Sequence, residues 1–276
     1  MLFTQHIAFD APCVVNIDDS WGKRLAQELK EGGKEGVFKG RLITLSCRDE
    51  QADAYIQVKK LAAEGSSYTV AFEEKEYKLA PRLIGLHNIY NTAEAFLLAL
   101  ASGADGEKAI EILQSENIAP PGRLEGLFLP SGAGVFVDYA HTDDALSRVL
   151  EALHELKERR LITIFGCGGD RDRTKRPRMA LAASRFSDIV MVTSDNPRTE
   201  EPAAVIEDII KGFPEEYEYM VEPDRGKAIK TILSIAEKGD IVLIAGKGHE
   251  NYQEINGIKH HFDDREEVRK YMAAHE

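Results

Sequence analysis

The 276-residue sequence predicts an α/β fold in two domains. Beyond Pro120-Pro121, short apolar segments alternate with helical ones, the pattern of a three-layer domain with a mostly parallel sheet. Before the prolines, several strand-like segments come in a group and two helices follow. Three apolar strands also end in glycine turns or charged side chains, as ligand-binding strands do: residues 161–165, 189–193 and 241–245.

The first 120 residues mix alternating segments, which predict strands, with segments of helical composition and period. The last two segments are rich in alanine, leucine and isoleucine and predict helices. In chain order we expect a strand at 13–17, a helix at 21–30, strands at 42–47, 54–58, 68–72 and 76–79, and helices at 91–101 and 106–114.

The second part supplies helices between its apolar strands. Thr142 is a good N-cap, and Leu146, Val149, Leu150 and Leu153 form one apolar stripe after it. Similar helices are expected near residues 175–186, 202–211, 224–237 and 264–273.

Composition argues against several classes of protein. The formal net charge of −12 disfavours a nucleic-acid surface, because phosphate contacts need clustered lysine and arginine. No apolar run approaches the roughly 20 residues that span a bilayer, and the first residues do not resemble a signal peptide. The three cysteines have neither paired nor metal-like spacing, which favours a reducing compartment. We therefore expect a cytoplasmic protein with no nucleic-acid partner, no membrane partner and no metal-ligand cluster.

The tetrapeptide Asp195-Asn196-Pro197-Arg198 follows the strand at 189–193 and has the chemistry to hold a small zwitterion. The guanidinium of Arg198 can bind a carboxylate through two parallel hydrogen bonds, and Asp195 and Asn196 offer acceptors for an ammonium group. Pro197 fixes φ between them. Taken alone, the same tetrapeptide could be a turn that enters a helix.

Two more strand ends supply candidate ligand groups, GCGGDRD at 166–172 and GKGHE at 246–250. The first is not a dinucleotide-binding G-x-G-x-x-G, because Arg171 occupies the place of the last glycine, so an oxidoreductase is a weak alternative. We interpret Cys167 as a structural residue and not as a nucleophile. The KRP run at 175–177 either begins a helix or adds positive charge that steers an anionic substrate.

These motifs occur in the same order in a known family. Together with APPGRLE at 119–125 and VDYAHT at 137–142, they make nearly the whole chain resemble the C-terminal part of the Mur ligases. Within that family the chain is similar to the members that add meso-diaminopimelate to the peptidoglycan stem peptide, which carry an Asp-Asn-Pro-Arg motif. The resemblance implies that the meso-diaminopimelate pocket is formed by Arg171, Asp195, Asn196, Pro197, Arg198, Gly246 and Glu250.

The resemblance also implies a nucleotide site. Asn88 and Asn91 share one helix face and are expected near adenine, although without the resemblance they could equally be an N-cap and a surface residue. His141 is expected beside the nucleotide and not as a general base, because the family activates its substrate with ATP. The implied nucleotide-binding residues are Asn88, Asn91, Arg123, Asp138, Tyr139 and His141.

By resemblance, the reaction uses ATP and Mg²⁺ to phosphorylate the carboxylate of UDP-N-acetylmuramoyl-L-alanyl-D-glutamate, and the amine of meso-diaminopimelate then attacks the acyl phosphate. The phosphate loop for such chemistry has the form G-x-x-x-x-G-K-[ST], and no segment of the sequence fits it. The resemblance also places the family's carbamylated lysine, its metal-binding Glu and His and its UDP-binding domain upstream of the matched part. We therefore expect a fragment that is inactive alone.

The expected architecture is a partial central ATPase-type α/β domain followed by a Rossmann-like three-layer C-terminal domain. Residues 1–120 would be the second half of the central domain, and residues 121–276 would bind the incoming amino acid. A folylpolyglutamate synthetase or a lysine-adding relative is a second possibility, but the Asp-Asn-Pro-Arg motif argues against both. A noncatalytic module that binds an amino acid or a cell-wall precursor is a third. The sequence does not predict an oligomeric state.

Overall fold

A computed structural model describes residues 10–34, 38, 40–115 and 120–275. The chain divides into two compact units, Met1–Ile118 and Ala119–Glu276. The parts of the predicted first domain at 1–9 and 116–119 lie outside the described residues. Within the described part, no helix is both long enough and apolar enough to cross a bilayer.

The first unit combines a mixed sheet with helices. Its elements are β1 (Cys13–Asn16), α1 (Ser20–Lys34), β2 (Leu42–Ser46), β3 (Ala54–Ala62), β4 (Gly65–Phe72), β5 (Lys75–Leu79), α2 (Leu86–Ala101) and α3 (Gly106–Leu113). The sheet order is β1-β2-β3-β4-β5, parallel from β1 to β3 and antiparallel from β3 to β5. The β3 strand alternates buried and less buried residues along its first half, the pattern of a strand with one covered face.

Helix α2 packs against this sheet. Ile89, Ala93, Phe96 and Leu97 recur at helical spacing, are fully buried and pack with apolar residues of β2 to β5. The helix begins at Leu86, five residues before the predicted start, because the polar first turn hides the apolar period that Ile89 begins.

The second unit is a strand–helix alternation. Its elements are β6 (Glu125–Phe128), β7 (Gly134–Asp138), α4 (Asp143–Leu156), β8 (Leu161–Phe165), α5 (Lys175–Phe186), β9 (Ile189–Val192), α6 (Pro202–Ile210), β10 (Met220–Val221), α7 (Arg225–Ile235), β11 (Ile241–Ala245), β12 (Tyr252–Ile255), β13 (Ile258–His261) and α8 (Asp264–Ala273). The main sheet has the order β10-β9-β8-β11-β7-β6, and every pair in it is parallel except β6 with β7. The β12 and β13 strands form a separate antiparallel hairpin.

Helices cover both faces of the main sheet. Val242 and Ile244 pack with Ile229 and Ile232 of α7, against which α8 also packs. Leu243 between them points to the opposite face and is fully buried as well, on the side of α4, α5 and α6. The predicted three-layer arrangement with a mostly parallel sheet is therefore confirmed.

The strand order brings three loops to one edge. Because β9, β8 and β11 are parallel neighbours, their carboxyl ends lie side by side. The loops that follow them are the Asp-Asn-Pro-Arg loop, the GCGGDRD turn and the GKGHE segment. The fold thus gathers the three motifs at the edge where open α/β sheets bind ligands.

Truncation of Phe96 tests the assignment of the first unit's core. Phe96 is fully buried and meets Tyr77 edge to face at 4.9 Å. We expect Phe96→Ala to lower the free energy of unfolding of this unit by about 3–5 kcal/mol, measured by urea denaturation. The matched control is Leu98→Ala on the exposed side of the same helix, expected to stay within about 0.5 kcal/mol. Equal effects of the two variants would contradict the assignment.

Candidate functional site

The edge formed by β8, β9 and β11 borders a cleft of about 480 Å³. Six of the seven residues predicted for meso-diaminopimelate line it, and Pro197 is buried without lining it. The lining residues are Tyr139, His141, Thr142, Gly168, Arg171, Asp172, Lys175, Asp195, Asn196, Arg198, Gly246, Glu250 and Tyr252.

The glycine turn and the Asp-Asn-Pro-Arg loop touch through their backbones. The N–H of Gly169 donates to the carbonyl of Asn196 at 2.8 Å. A Cβ on Gly169 would lie 1.9 Å from the carbonyl oxygen of Pro197, so no other residue fits there. Gly246 has φ of +115° and donates its N–H to the carbonyl of Asp138 at 3.0 Å. Glycine is therefore required where the loops cross.

A buried lysine joins three polar side chains of the cleft wall. The ammonium of Lys247 donates to Asp195 Oδ1 at 3.2 Å and to Asn196 Oδ1 at 3.0 Å, and it lies 3.5 Å from Glu250 Oε2. The amide of Asn196 donates in turn to Glu250 Oε2 at 2.9 Å. Lys247 is fully buried, and Asp195 and Asn196 are nearly so. These groups form one connected network, in which each polar side chain has a partner.

Arg198 is held in an unusual backbone conformation. Its φ of 53° lies in the left-handed region, which costs energy for a residue with a side chain. The guanidinium donates from Nη1 to the carbonyl of Gly169 at 2.7 Å, and its Nε lies 3.4 Å from Glu254 Oε2. These two contacts, made by Nη1 and Nε, orient the planar group at the cleft wall.

The β12–β13 hairpin holds the Asp-Asn-Pro-Arg loop from the other side. The side chain of Gln253 donates to the carbonyl of Asp195 at 2.7 Å, and the N–H of Glu254 donates to Asn196 Oδ1 at 3.0 Å. The N–H of Arg198 donates to the carbonyl of Glu254 at 3.0 Å, and its carbonyl accepts from the N–H of Asn256 at 2.7 Å. These bonds compensate the left-handed turn at Arg198.

A second buried cation braces the strand ends from below. Arg225, at the start of α7, forms a bidentate pair with Asp264 of α8 at 2.7 and 2.8 Å, and both side chains are fully buried. The same guanidinium donates to the carbonyl of Ala245 at 3.0 Å and to that of Ser194 at 3.4 Å. Those two carbonyls directly precede Gly246 and Asp195, so Arg225 fixes the ends of β9 and β11 together.

The GCGGDRD turn is fastened by Glu200. Its carboxylate accepts from the backbone N–H of Asp170 at 2.7 Å and from the buried guanidinium of Arg176 at 2.7 Å. The bond from Arg176, followed by that from Asp170, lowers the pKa of Glu200 from 4.5 to about 2. Ionised Glu200 thus fixes the residue next to Arg171, whose exposed side chain lines the cleft.

The predicted nucleotide-binding residues fall in both units. In the first, the half-buried Asn88 donates to the carbonyl of Ile84 at 2.8 Å, and the exposed Asn91 lies on the same helix face. In the second, the exposed guanidinium of Arg123 lies over the ring of Tyr139, and Tyr139 and His141 line the cleft. Asp138 is buried, and its carboxylate accepts from the N–H groups of Leu124 and Ala140, both at 2.8 Å.

The structure also shows the surroundings of Lys175 and Cys167, two residues interpreted from the sequence. Lys175 begins α5 and also lines the cleft, where its ammonium donates to the carbonyl of His141 at 2.7 Å. Cys167 is buried, and burial raises the pKa of its thiol to about 12, which is the behaviour of a structural residue. Among the described residues, no group of three or more His, Cys, Asp or Glu side chains could hold a metal ion.

Several residues that build the site were not predicted from the sequence. Lys247 follows Gly246 in the GKGHE segment at the end of a strand, and this position was the sequence pattern that could have identified it as a site residue. Gln253 and Glu254 lie in a hairpin that has no clear pattern in the sequence, and Arg225 and Asp264 are 39 residues apart in the chain. Their pairings became visible only in the structure.

Two family models match the chain: the Mur ligase middle domain over residues 1–99, and the Mur ligase, glutamate ligase domain over residues 122–248. The chain belongs to the Mur ligase family. The cleft lies in the part matched by the second model, apart from Glu250 and Tyr252 just beyond it.

Several curated relatives within the family carry the same name. The chain is 44% identical over 265 residues to the UDP-N-acetylmuramoyl-L-alanyl-D-glutamate--2,6-diaminopimelate ligase of Fusobacterium nucleatum. This match covers 94% of the chain and 51% of the relative. The chain is 40% identical over 261 residues to the ligase of the same name from Aquifex aeolicus, with 95% and 51% covered. A solved structure of a ligase of that name is 36% identical with a TM-score of 0.73, covering 96% of this chain and 53% of that one. The chain thus spans about half the length of the curated Mur ligases it matches.

Loss of the buried Arg225 side chain tests the brace beneath this Mur ligase cleft. We expect Arg225→Met to destabilise the protein by about 3–5 kcal/mol in urea unfolding, because it leaves the Asp264 carboxylate buried and unpaired. Lys227→Met on the same helix is the control. Lys227 is 71% exposed in its pair with Asp224, so its loss should cost at most about 1 kcal/mol. An Arg225→Met variant as stable as the control would contradict the assigned brace.

Acid should remove the contribution of Glu200. A carboxylate whose pKa is lower in the folded than in the unfolded chain stabilises the fold above its unfolded pKa, and this contribution disappears as pH falls from about 4.5 to about 2. We expect Glu200→Gln to be less stable than the unmodified protein near neutral pH, with the gap narrowing across that window. Urea unfolding along a pH series measures it. Glu201→Gln, at the exposed neighbouring residue, is the control and should cost less stability near neutral pH. A gap for Glu200→Gln that is constant with pH would contradict the pairing.

Proposed function

We propose that this chain provides the amino-acid-binding part of an ATP-dependent ligase that joins meso-diaminopimelate to UDP-N-acetylmuramoyl-L-alanyl-D-glutamate. The observation that carries the proposal is the meeting of Arg198 with Asp195, Asn196 and Glu250 in one cleft wall. Carboxylate-binding and ammonium-binding groups side by side fit one end of an amino acid. The names of the relatives that are about 40% identical support the same substrate.

The cleft chemistry accounts for a choice between meso-diaminopimelate and lysine. Meso-diaminopimelate carries a second carboxylate at its far end, and lysine does not. Arg198 would pair with that carboxylate, while Asp195 and Glu250 accept from the ammonium beside it. Lysine offers no such carboxylate, so Arg198 would keep its contact with Glu254 but lose the charge-assisted pair with the ligand, which is worth roughly 2–3 kcal/mol, or about a hundredfold in affinity.

The exposed side of the cleft suits the reacting end of the substrates. Arg171 is exposed and Lys175 is half-buried, and both line the cleft with Tyr139 and His141. These cations would attract the anionic groups of the second substrate and of ATP. The reaction joins the amine of meso-diaminopimelate to the activated carboxyl carbon of the dipeptide, with release of ADP and phosphate.

For the nucleotide, we propose roles that fit the groups present. In the first unit, the amides of Asn88 and Asn91 offer donors and acceptors suited to adenine. In the second unit, the exposed Arg123 offers positive charge suited to phosphate. Asp138 fixes the loop that carries Tyr139 and His141, through its bonds from Leu124 and Ala140. ATP would supply the phosphoryl group, with Mg²⁺ neutralising its phosphates.

We place this activity in the cytoplasm, where ATP is available. The three cysteines are free thiols, and two of them are buried, which agrees with a reducing compartment.

Calorimetric titration of the purified chain tests the substrate. We expect meso-diaminopimelate to bind about a hundredfold more tightly than L-lysine, because only the former has a carboxylate for Arg198. Arg198→Met should abolish this preference. Arg185→Met, an exposed arginine on α5, is the control and should keep it. Equal affinity of the unmodified chain for both amino acids, or no binding of either, would overturn the proposal.

A further inference from the structure

The ammonium of Lys247 is a fixed part of the cleft wall. It has three donors, and Asp195, Asn196 and Glu250 offer an oxygen within 3.5 Å for each of them. Its side chain is fully buried, and the residue does not line the cleft. Lys247 therefore has no donor left for a substrate carboxylate, and it acts on a ligand through the three side chains that it holds.

The charges of this wall have a simple balance. Asp195 and Glu250 both line the cleft, and both lie against the one ammonium of Lys247. Two carboxylates that share a site repel each other, and a cation between them removes that repulsion. With Lys247 in place, the three groups together carry one negative charge, which matches a single ammonium group.

We propose that Lys247 is a positioning and specificity-determining residue. Its ammonium is an internal counter-ion for Asp195 and Glu250, which leaves the wall with the negative charge needed to bind one ligand ammonium that has a carboxylate beside it. This inference rests on the proposed function, because it assumes that the cleft binds meso-diaminopimelate. Lys247 holds the oxygens of Asp195, Asn196 and Glu250 in place before the ligand arrives. It also keeps the wall from favouring ligands with more positive charge.

The choice of ligand follows from that balance. Meso-diaminopimelate is neutral near pH 7, with two ammonium and two carboxylate groups, whereas L-lysine carries a net positive charge. Without Lys247, Asp195 and Glu250 would lose the ammonium between them. The wall would then attract the positively charged lysine more strongly and would hold the neutral ligand less well. Selectivity for meso-diaminopimelate should therefore fall when the charge of Lys247 is removed.

The chain contains a matched control for this residue. The ring of Tyr252 has the ammonium of Lys247 at 5.7 Å from its centre and that of the exposed Lys259 at 4.0 Å. Lys259 thus also contacts Tyr252. Among the described residues, however, the hydrogen bonds that a lysine donates to Asp195, Asn196 and Glu250 come from Lys247 and not from Lys259. Lys259→Met removes a nearby positive charge without changing the balance among Lys247, Asp195 and Glu250.

The experiment compares calorimetric affinities for meso-diaminopimelate and L-lysine in the full chain and three variants: Lys247→Met, the double variant Lys247→Met/Glu250→Gln, and Lys259→Met. Lys247→Met should lose about tenfold or more in affinity for meso-diaminopimelate without a parallel loss for lysine. The double variant, in which Asp195 alone carries the charge, should recover a large part of the preference. Lys259→Met should behave as the unmodified chain.

The outcomes separate this inference from the proposed function. If the unmodified chain binds no meso-diaminopimelate, the proposed function fails. If it binds and the double variant is no better than Lys247→Met, Lys247 only packs the wall and the inference is overturned. Should Lys247→Met fail to fold by circular dichroism, a folded double variant that prefers meso-diaminopimelate supports the inference, and an unfolded one overturns it.

Discussion

The cleft depends on a guanidinium that never reaches it. Parallel strands diverge where their hydrogen bonding ends, and their last carbonyls need new partners there. Arg225 provides partners for the carbonyls of Ser194 and Ala245, while Asp264 balances its charge in the interior. Asp195 and Gly246 directly follow these carbonyls, so the hydrogen bonds from Arg225 also determine the positions of these two residues. A flexible connection at this depth would leave the wall without defined geometry.

Above this brace, the polar groups of the wall are satisfied by one another before any ligand is present. Lys247 binds the oxygens of Asp195 and Asn196, Arg198 binds the turn at Gly169, and Glu200 binds the backbone of Asp170. Such a network limits the rotamers that would otherwise have to be fixed on binding, which lowers the entropic cost of association. It also explains why so many charged groups can be buried together, since each lies against an opposite charge or a hydrogen-bond partner.

Local patterns in the sequence predicted the parts of this structure that local physics determines. The apolar strands at β8, β9 and β11 and the stripe of Leu146, Leu150 and Leu153 needed only periodicity, and the motifs after the strands followed from the topology of parallel sheets. Pairings between distant segments were out of reach. The polar hairpin at β12 and β13 has little apolar period, and nothing local in Arg225 or Asp264 distinguishes a buried pair from two surface charges.

The hairpin makes the Asp-Asn-Pro-Arg loop a composite of two distant stretches of chain. Asn196 receives a hydrogen bond from Glu254, 58 residues away, and the left-handed turn at Arg198 is compensated by the same strand. Grafting the tetrapeptide alone into a related scaffold would transfer its amino-acid sequence but not the backbone geometry that the hairpin maintains. Recombination between homologous genes would separate the two halves if it crossed anywhere between them. The geometry of this loop is therefore inherited only when the loop and its hairpin are inherited together.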